Sequence, residues 1–149
     1  MRAFILEGYS RPFREVEMPR PSPGPGQVLV RMAAAGINHA DERSRRGESK
    51  LLFHPNLPSV AGGELSGEVV AVGEGVSRLA VGDAVIAYTG VVEMGAFAEF
   101  AVVKESAVSL APVSVPPGLA VDAPRDVQRR GEEGQDAVDG VLAALLGDR

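Results

Sequence analysis

Residues 59–88 have the sequence SVAGGELSGEVVAVGEGVSRLAVGDAVIAY, which contains two strand patterns joined by a turn pattern. In ELSGEVVAVG, apolar or small residues alternate with Glu64, Ser66 and Glu68. This two-residue period is typical of a β-strand with one buried face, and it places Glu64 on the face opposite Leu65. GEGVSRLAVGD has the glycines of a turn, and AVIAY supplies the next strand. We therefore predict two consecutive strands with a tight connection.

The flanking sequence adds further short strands on both sides of this region. RAFILEG and REVEM form a hairpin-like pair around a turn at residues 10–13, QVLVRMAAAG is a small-residue strand, and GAFAEFAVV and AVSLAPV follow later. NHADERSRRG offers an Asn cap, a short charged helix and a Gly stop. With 45% hydrophobic residues, 18 Gly and 11 Pro, the composition suits short elements and many turns. We predict a mainly β fold, a small and partly open β-barrel with one or two short helices.

The chain changes character in its last fifth. DAPRDVQRRGEEGQD is charged and broken by Pro and Gly, whereas AVDGVLAALLG is apolar again. We therefore predict a barrel over residues 1–120 and, over residues 121–149, a charged linker followed by a short amphipathic C-terminal helix. Because so short a helix is marginal alone, it should pack on the barrel or on a partner, in a homodimer or with another subunit. Its predicted apolar stripe consists of Val138, Val141, Leu142 and Leu145.

The composition argues against several classes of protein. No apolar run approaches the ~20 residues that a membrane span needs, and the N-terminus has no long apolar signal core, so we expect a cytoplasmic protein without a membrane partner. The absence of cysteine excludes disulfides and thiolate zinc sites. The net charge is −5, and the one basic cluster, Arg43, Arg45 and Arg46, lacks aromatic residues that would stack on bases. We predict no nucleic-acid partner and a small organic molecule as substrate.

Several motifs occur in an order and spacing that resemble a known superfamily. They are PGPGQVLVR, AAGIN followed by AD and RG, the block GGELSGEVVAVGEGV, VGDAV and GAFAEF. Over about residues 1–120 the chain resembles the medium-chain dehydrogenase/reductase superfamily, in its zinc-independent quinone oxidoreductase branch. The resemblance implies a GroES-like barrel, normally the catalytic and substrate-binding domain. In full-length relatives a Rossmann domain that holds NAD(P)H follows, and a chain of 149 residues leaves no room for a second complete domain.

The sequence predicts neither a cofactor site nor a metal site. A dinucleotide site needs a strand, a G-x-G-x-x-G turn and a helix N-terminus, but GEGVSR has Arg78 at the third glycine position and lies between two strands. NADPH is therefore expected only if a separate nucleotide-binding subunit exists. Zinc-dependent relatives use a Cys near the position of Asn38 and a Gly-His-Glu, where this chain has GGE at residues 62–64. A catalytic zinc site needs about three protein ligands, so we predict none.

The four candidate catalytic residues are Asn38, Asp41, Glu64 and Tyr88. Asn38 and Asp41 match the relatives' G-[VIL]-N-x-x-D, in which the Asn lies near the nicotinamide ribose; alternatively they cap the helix. Glu64 matches the family's G-x-E and would be an acid or base if buried in a cleft, or would hold the neighbouring loop. Tyr88 ends a strand and could donate to a carbonyl oxygen that gains negative charge, or could pack on the rim.

The four candidate substrate-binding residues are Arg43, His39, His54 and Glu93. Arg43 could pair with a carboxylate, an enolate or a phosphate, or could be solvent-exposed. His39 and His54 could shuttle protons near neutral pH, or could be structural or exposed. Glu93 lies on a loop that borders the substrate channel in relatives, or could be an ordinary solvated residue.

These features leave three functional hypotheses open. The favoured one is a non-redox enzyme, a cyclase, isomerase or dehydratase that binds a carbonyl or polyketide-like compound in a reductase-type cleft. The second is the substrate-binding half of an NAD(P)H-dependent quinone or enone oxidoreductase, completed by a separate Rossmann subunit. The third is a binding module or remnant without catalytic activity.

Overall fold

The computed structural model describes residues 1–48, 50, 56–89 and 93–111, and the backbone of 141–143. Nearly all regular structure in this part of the chain is β. The two sheets contain three and six strands and are joined by a bridge between Ala3 and Ala98. The sheets do not close into a complete barrel. The prediction of a mainly β, partly open GroES-like fold is confirmed.

The smaller sheet is built by the N-terminal hairpin. Its strands are β1 (Arg2–Leu6), β2 (Arg14–Glu17) and β4 (Ser59–Val60), in the order β2-β1-β4. Both pairings are antiparallel. The turn between β1 and β2 contains Ser10 with φ 61°. The predicted hairpin-like pair at the N-terminus is confirmed.

The larger sheet carries the candidate site. Its main strands are β3 (Gln27–Ile37), β5 (Glu64–Val72), β6 (Ala84–Tyr88), β7 (Phe100–Lys104) and β8 (Val108–Leu110), in the order β7-β3-β5-β6-β8. All of these pairings are antiparallel. The long strand β3 lies between β5 and β7, and β5 lies between β3 and β6. The two strands read from residues 59–88 are therefore neighbours, as the sequence predicts.

The hydrophobic core lies on one face of the larger sheet. Alternate residues of β3 and β5 fill it, such as Val28, Val30, Leu65 and Val69, all of which are fully buried. Gly67 interrupts this series on β5 because a Cβ there would overlap the carbonyl oxygen of Arg31 on β3. The glycine lets the two backbones approach closely.

The first half of β5 differs from the predicted pattern of one buried face. Glu64 and Ser66 are buried although they lie opposite Leu65, whereas Glu68, further along the strand, is only half-buried. At the start of β5, Leu65 packs in the hydrophobic core on one face and Glu64 accepts a hydrogen bond from the N-cap of α1 on the other, so both faces are covered. The prediction holds for the second half of the strand only.

The helical elements with defined bounds in the described ranges are α1 (His39–Arg46) and a 3₁₀ turn, η1 (Glu105–Ala107), and Glu93 is also helical. α1 follows β3 directly, begins after Asn38 and ends at Gly47, as predicted. No helix of the described residues is long and apolar enough to cross a membrane.

The C-terminal segment differs from its prediction. Val141–Ala143 form a strand, β9, that pairs antiparallel with Ala35–Ile37 of β3. The predicted helix is therefore wrong at these three residues. β7 pairs with β3 only over residues 27–31. Further along the same edge of β3, β9 pairs with Ala35–Ile37 and satisfies their backbone groups. A short apolar run is compatible with either a helix or a strand. Val138, Leu145 and the predicted charged linker lie outside the described residues.

Candidate functional site

The site begins at the N-cap of α1. Asn38 has extended backbone angles, φ −134° and ψ 172°, and its side-chain Oδ1 accepts a hydrogen bond from Ala40 N at 2.6 Å. Asp41 completes a capping box, because its Oδ2 accepts from the backbone N–H of Asn38 at 2.8 Å. Two backbone donors at the helix start are thus satisfied by side chains. The capping interpretation of Asn38 and Asp41 is confirmed.

The amide of Asn38 also reaches across to β5. Its Nδ2 donates to Glu64 Oε1 at 3.0 Å. The register explains this contact: Gly36 is the cross-strand partner of Glu64, and it has no side chain between the Glu64 carboxylate and Asn38, two residues further on. Glu64 is only 3% exposed, and Asn38 is half-buried. The amide is therefore held at both its oxygen and its nitrogen.

The backbone that leads into Glu64 is fixed by the segment between β6 and β7. The carbonyl oxygens of Ala61 and Gly62 accept from Phe97 N at 2.8 Å and Ala96 N at 3.1 Å. The Gly63 carbonyl accepts from Thr89 N at 2.8 Å. Gly62 has φ +88°, and a Cβ there would overlap the ring of Phe97, so this position requires glycine. These contacts set the direction from which Glu64 enters the site.

Tyr88 stands beside Glu64 at the end of β6. The two residues are direct cross-strand partners, so their side chains leave the sheet on the same face. Such pairs have Cβ atoms about 4.5–5.5 Å apart. Tyr88 is 39% exposed, in contrast to its buried neighbour. The structure thus places the partly exposed Tyr88 beside the buried Glu64, on the same face of the sheet.

The strongest charge effect near the site lies on α1. Hydrogen bonds from Arg45 and then from Arg46 lower the pKa of Glu42 from 4.5 to about 2. This carboxylate is ionised at neutral pH and is fully engaged by arginines. Glu42 therefore organises the helix surface and is poorly suited to proton transfer at neutral pH.

Of the four candidate substrate-binding residues, the three that the structure describes are exposed rather than buried beside this pair. Arg43 is exposed, and its Nε pairs with Glu48 Oε2 at 3.4 Å. Glu93 is exposed and forms an ion pair with Lys104. His39 is exposed at the first residue of α1, and His54 lies outside the described residues. The structure brings together Asn38, Asp41, Glu64 and Tyr88.

The greater part of the chain matches a known family. Residues 24–113 match the model of the alcohol dehydrogenase GroES-like domain. The chain belongs to this family. The match includes β3, α1, β5 and β6, the four elements that supply the site.

Individual relatives of this GroES-like chain are oxidoreductases by name. The chloroplastic quinone-oxidoreductase QR1 of Triphysaria versicolor is 33% identical over 108 residues, which cover 70% of this chain and 33% of that protein. The mitochondrial NAD(P)H oxidoreductase RTN4IP1 of Dictyostelium discoideum is 32% identical over 118 residues, or 75% of this chain and 34% of that protein. The chain spans about one third of the length of these curated relatives.

A solved structure shows the same fold. The quinone oxidoreductase of Pseudomonas syringae pv. Tomato matches with a TM-score of 0.77 and 32% identity, over 89% of this chain and 41% of that chain. The GroES-like chain thus corresponds to the N-terminal part of a medium-chain dehydrogenase/reductase, and the predicted resemblance is confirmed. Because the two curated relatives have organelle names, the cytoplasmic location stays a prediction.

The described residues do not fit the pyrophosphate of a dinucleotide. GEGVSR, the segment with spaced glycines, forms the connection between β5 and β6 and leads into no helix. A Cβ on Gly73 would overlap the carbonyl of Gly24, so this glycine allows two backbones to meet. Within the described residues, no group of three or more His, Cys, Asp or Glu could hold a metal ion. That neither group binds stays a prediction.

Besides the Asn38–Glu64 bond, two features of the site were not predicted. Ser66 is buried on the same face as Glu64, one pleat further along β5. The alternation placed it on that face but gave no sign of its burial. The contact of Phe97 with Gly62 also has no local signal, because it joins residues far apart in the chain.

Proposed function

We propose that this chain supplies the substrate-binding half of an NAD(P)H-dependent oxidoreductase that reduces a quinone or a similar conjugated carbonyl compound. The observation that carries the proposal is the hydrogen bond from Asn38 Nδ2 to Glu64 Oε1 at 3.0 Å. The names of the relatives support the reaction class, because one is a quinone-oxidoreductase and another an NAD(P)H oxidoreductase. The proposal thus departs from the non-redox enzyme favoured by the sequence.

Asn38 would orient the substrate carbonyl. A side-chain amide nitrogen carries two hydrogens, and Glu64 takes one of them. The other can donate to a carbonyl oxygen at the half-buried edge of the site. Because the amide is already fixed by Ala40 N and Glu64, it needs no reorganisation as negative charge develops on that oxygen.

Tyr88 would supply the proton, while Glu64 holds the Asn38 amide in place. Reduction of a carbonyl adds a hydride and a proton, and the proton must reach the oxygen from a nearby acid. The phenol of Tyr88 is at the solvent edge of the same sheet face as Glu64, which suits it to give a proton and regain one from water. A bound nicotinamide would supply the hydride, held by a nucleotide-binding unit outside the described residues.

The donor set also favours a second candidate function. A buried carboxylate next to a fixed amide donor is a sufficient arrangement for moving a proton adjacent to a carbonyl, without any hydride. An isomerase, cyclase or dehydratase would use Asn38, Glu64 and Tyr88 in the same positions. The difference between the two candidates lies in the product.

The test uses the 149-residue chain with menadione and a conjugated enone. Each compound is incubated with NADPH, with and without a nucleotide-binding domain from a quinone oxidoreductase added in trans. The masses of the products are measured by mass spectrometry. The proposal predicts products two hydrogens heavier that require NADPH and are lost in Glu64→Gln. The matched control is Glu68→Gln on the same face of β5, which ion-pairs with Arg31 on the surface.

The other outcomes overturn the proposal in distinct ways. An isomeric or dehydrated product formed without NADPH supports the non-redox candidate. Absence of both products with saturable binding of menadione supports a binding module. Absence of binding removes the assigned substrate class.

A further inference from the structure

α1 is too short and too polar to be placed by a hydrophobic face. Its eight residues are HADERSRR, and its buried residues are Asp41 and Ser44. Isolated helices of this length are unstable in water. Most helices of globular proteins pack through an apolar stripe, which this sequence lacks. The position of α1 therefore depends on contacts at its two ends, which are polar apart from the packing of the Tyr9 ring against Gly47.

The C-terminal end of α1 is attached to the β1–β2 turn through Arg45. The Arg45 guanidinium donates two hydrogen bonds to the Glu42 carboxylate, from Nε to Oε2 at 2.6 Å and from Nη2 to Oε1 at 2.7 Å. Its Nη1 also donates to the carbonyl oxygen of Arg11 at 3.0 Å. The carbonyl of Arg45 in turn accepts from Ser10 N at 2.7 Å. The Arg45 side chain is only 24% exposed, less than the other arginines of the helix.

The N-terminal end of α1 is attached to the larger sheet through Asn38 and Glu64. The helix thus connects the smaller sheet's turn to the candidate site over about 12 Å, the length of eight helical residues. Because the two helical turns between Asn38 and Arg45 are rigid, a shift of the C-terminal end of α1 also moves the N-cap Asn38. We propose that Arg45 is a positioning residue that keeps the Asn38 amide on Glu64.

Arg46 provides a matched control within the same helix. Its Nε donates to Glu42 Oε1 at 2.7 Å, so it shares the same carboxylate with Arg45. Its second ion pair is with Glu48, and its side chain is 58% exposed. Arg46→Gln and Arg45→Gln therefore each remove one positively charged partner of Glu42. The two variants differ in the bridge from Arg45 to the β1–β2 turn.

The test is the NMR spectrum of the full chain, which does not depend on any activity. Glu64→Gln provides the reference positions of the Asn38 side-chain amide signals when its carboxylate partner is altered. We expect Arg45→Gln to shift these signals toward the reference and to speed hydrogen exchange at Ser10 N on the order of tenfold. Arg46→Gln leaves both unchanged. Equal behaviour of Arg45→Gln and Arg46→Gln would overturn the proposal.

Arg45→Lys keeps the test decisive if Arg45→Gln does not fold. Lysine retains the charge but cannot hold Glu42 and Arg11 with one rigid fork, so we expect a partial shift in the same direction. Signals identical to those of the unchanged chain would again contradict a positioning role.

The catalytic consequence rests on the proposed function and is measured separately. If the reductase assay succeeds, Arg45→Gln lowers kcat on the order of 10- to 100-fold with little change in KM, because a small misplacement of a catalytic donor has effects of this size. If the unchanged chain has no activity, the proposed function fails, and the NMR comparison still decides the role of Arg45. A normal kcat together with shifted Asn38 signals would limit the role to structure and refute this consequence.

Discussion

Asn38 and Glu64 join the N-cap of α1 to the first residue of β5, with Nδ2 and Oε1 3.0 Å apart. The residue that caps the helix is thus also the residue that holds the buried carboxylate. One side chain serves both the local fold and the candidate site.

The capping role of Asn38 is isolated by comparing Asn38→Ala with Asn38→Ser. Serine is as good an N-cap as asparagine but has no amide to reach Glu64, whereas alanine provides neither function. We expect Asn38→Ala to be less stable than Asn38→Ser by about 1 kcal/mol in urea unfolding. Equal stabilities would mean that the Oδ1 bond to Ala40 N contributes little.

Gly62 is predicted to be intolerant of a side chain because of Phe97. Gly62→Ala adds a Cβ that overlaps the ring and also strains a backbone with φ +88°. Gly75→Ala is the matched control, since Gly75 has φ +79° and an added Cβ there would meet no other atom within 4 Å. We expect both variants to lose more than about 1 kcal/mol from backbone strain, and Gly62→Ala to lose about 1–3 kcal/mol more from overpacking. Similar unfolding midpoints for the two would exclude a role for the Phe97 contact.

Tyr88 is predicted to affect turnover without affecting stability. Tyr88→Phe removes the phenol at the solvent edge of the site, and the side chain is already partly exposed. If the proposed proton transfer is correct, kcat falls by about 10²-fold or more. Tyr9→Phe, at the other tyrosine of the chain, keeps the ring against Gly47 and should leave kcat unchanged. A fully active Tyr88→Phe would assign the tyrosine to the rim.

The cluster of Glu42, Arg45 and Arg46 is predicted to make the stability of the fold depend on pH in the acidic range. Hydrogen bonds from Arg45 and Arg46 hold the pKa of Glu42 at about 2 in the folded chain, below the 4.5 of an unperturbed glutamate. Its contribution to stability is therefore complete above about pH 5 and is lost as the pH falls toward 2. The stability difference between the unchanged chain and Glu42→Gln should shrink over this range. A difference that is constant with pH would show that the ion pairs do not stabilise the fold.

The sequence predicts local features of this site well. Asn38, Asp41 and the final Gly47 are recognisable as the start and end of a helix because capping depends on neighbouring residues. The strand containing Glu64 follows from a two-residue period, and the strand containing Tyr88 follows from a short apolar run after a turn pattern. Each of these predictions uses interactions within about ten residues of chain.

The features that were not predicted depend on distant parts of the chain. The Asn38–Glu64 bond joins residues 26 apart, and it exists because the β3–β5 register places Gly36 opposite Glu64. Alternation identifies a strand's faces but not its register or what covers each face, so the burial of Ser66 was missed. Likewise, Val141–Ala143 become a strand because β3 offers an unpaired edge, which their own apolar pattern does not reveal.

The coupling between Asn38 and Glu64 in substrate binding is tested by a double-mutant cycle on menadione binding. The dissociation constant is measured by titration for the unchanged chain, Asn38→Ser, Glu64→Gln and the double variant, with Glu68→Gln as the surface control. If Asn38 and Glu64 act as one unit, each single variant weakens binding on the order of tenfold and the double variant is no weaker than either. Effects that add independently, or affinities equal to that of Glu68→Gln, would contradict a joint role of Asn38 and Glu64 in binding.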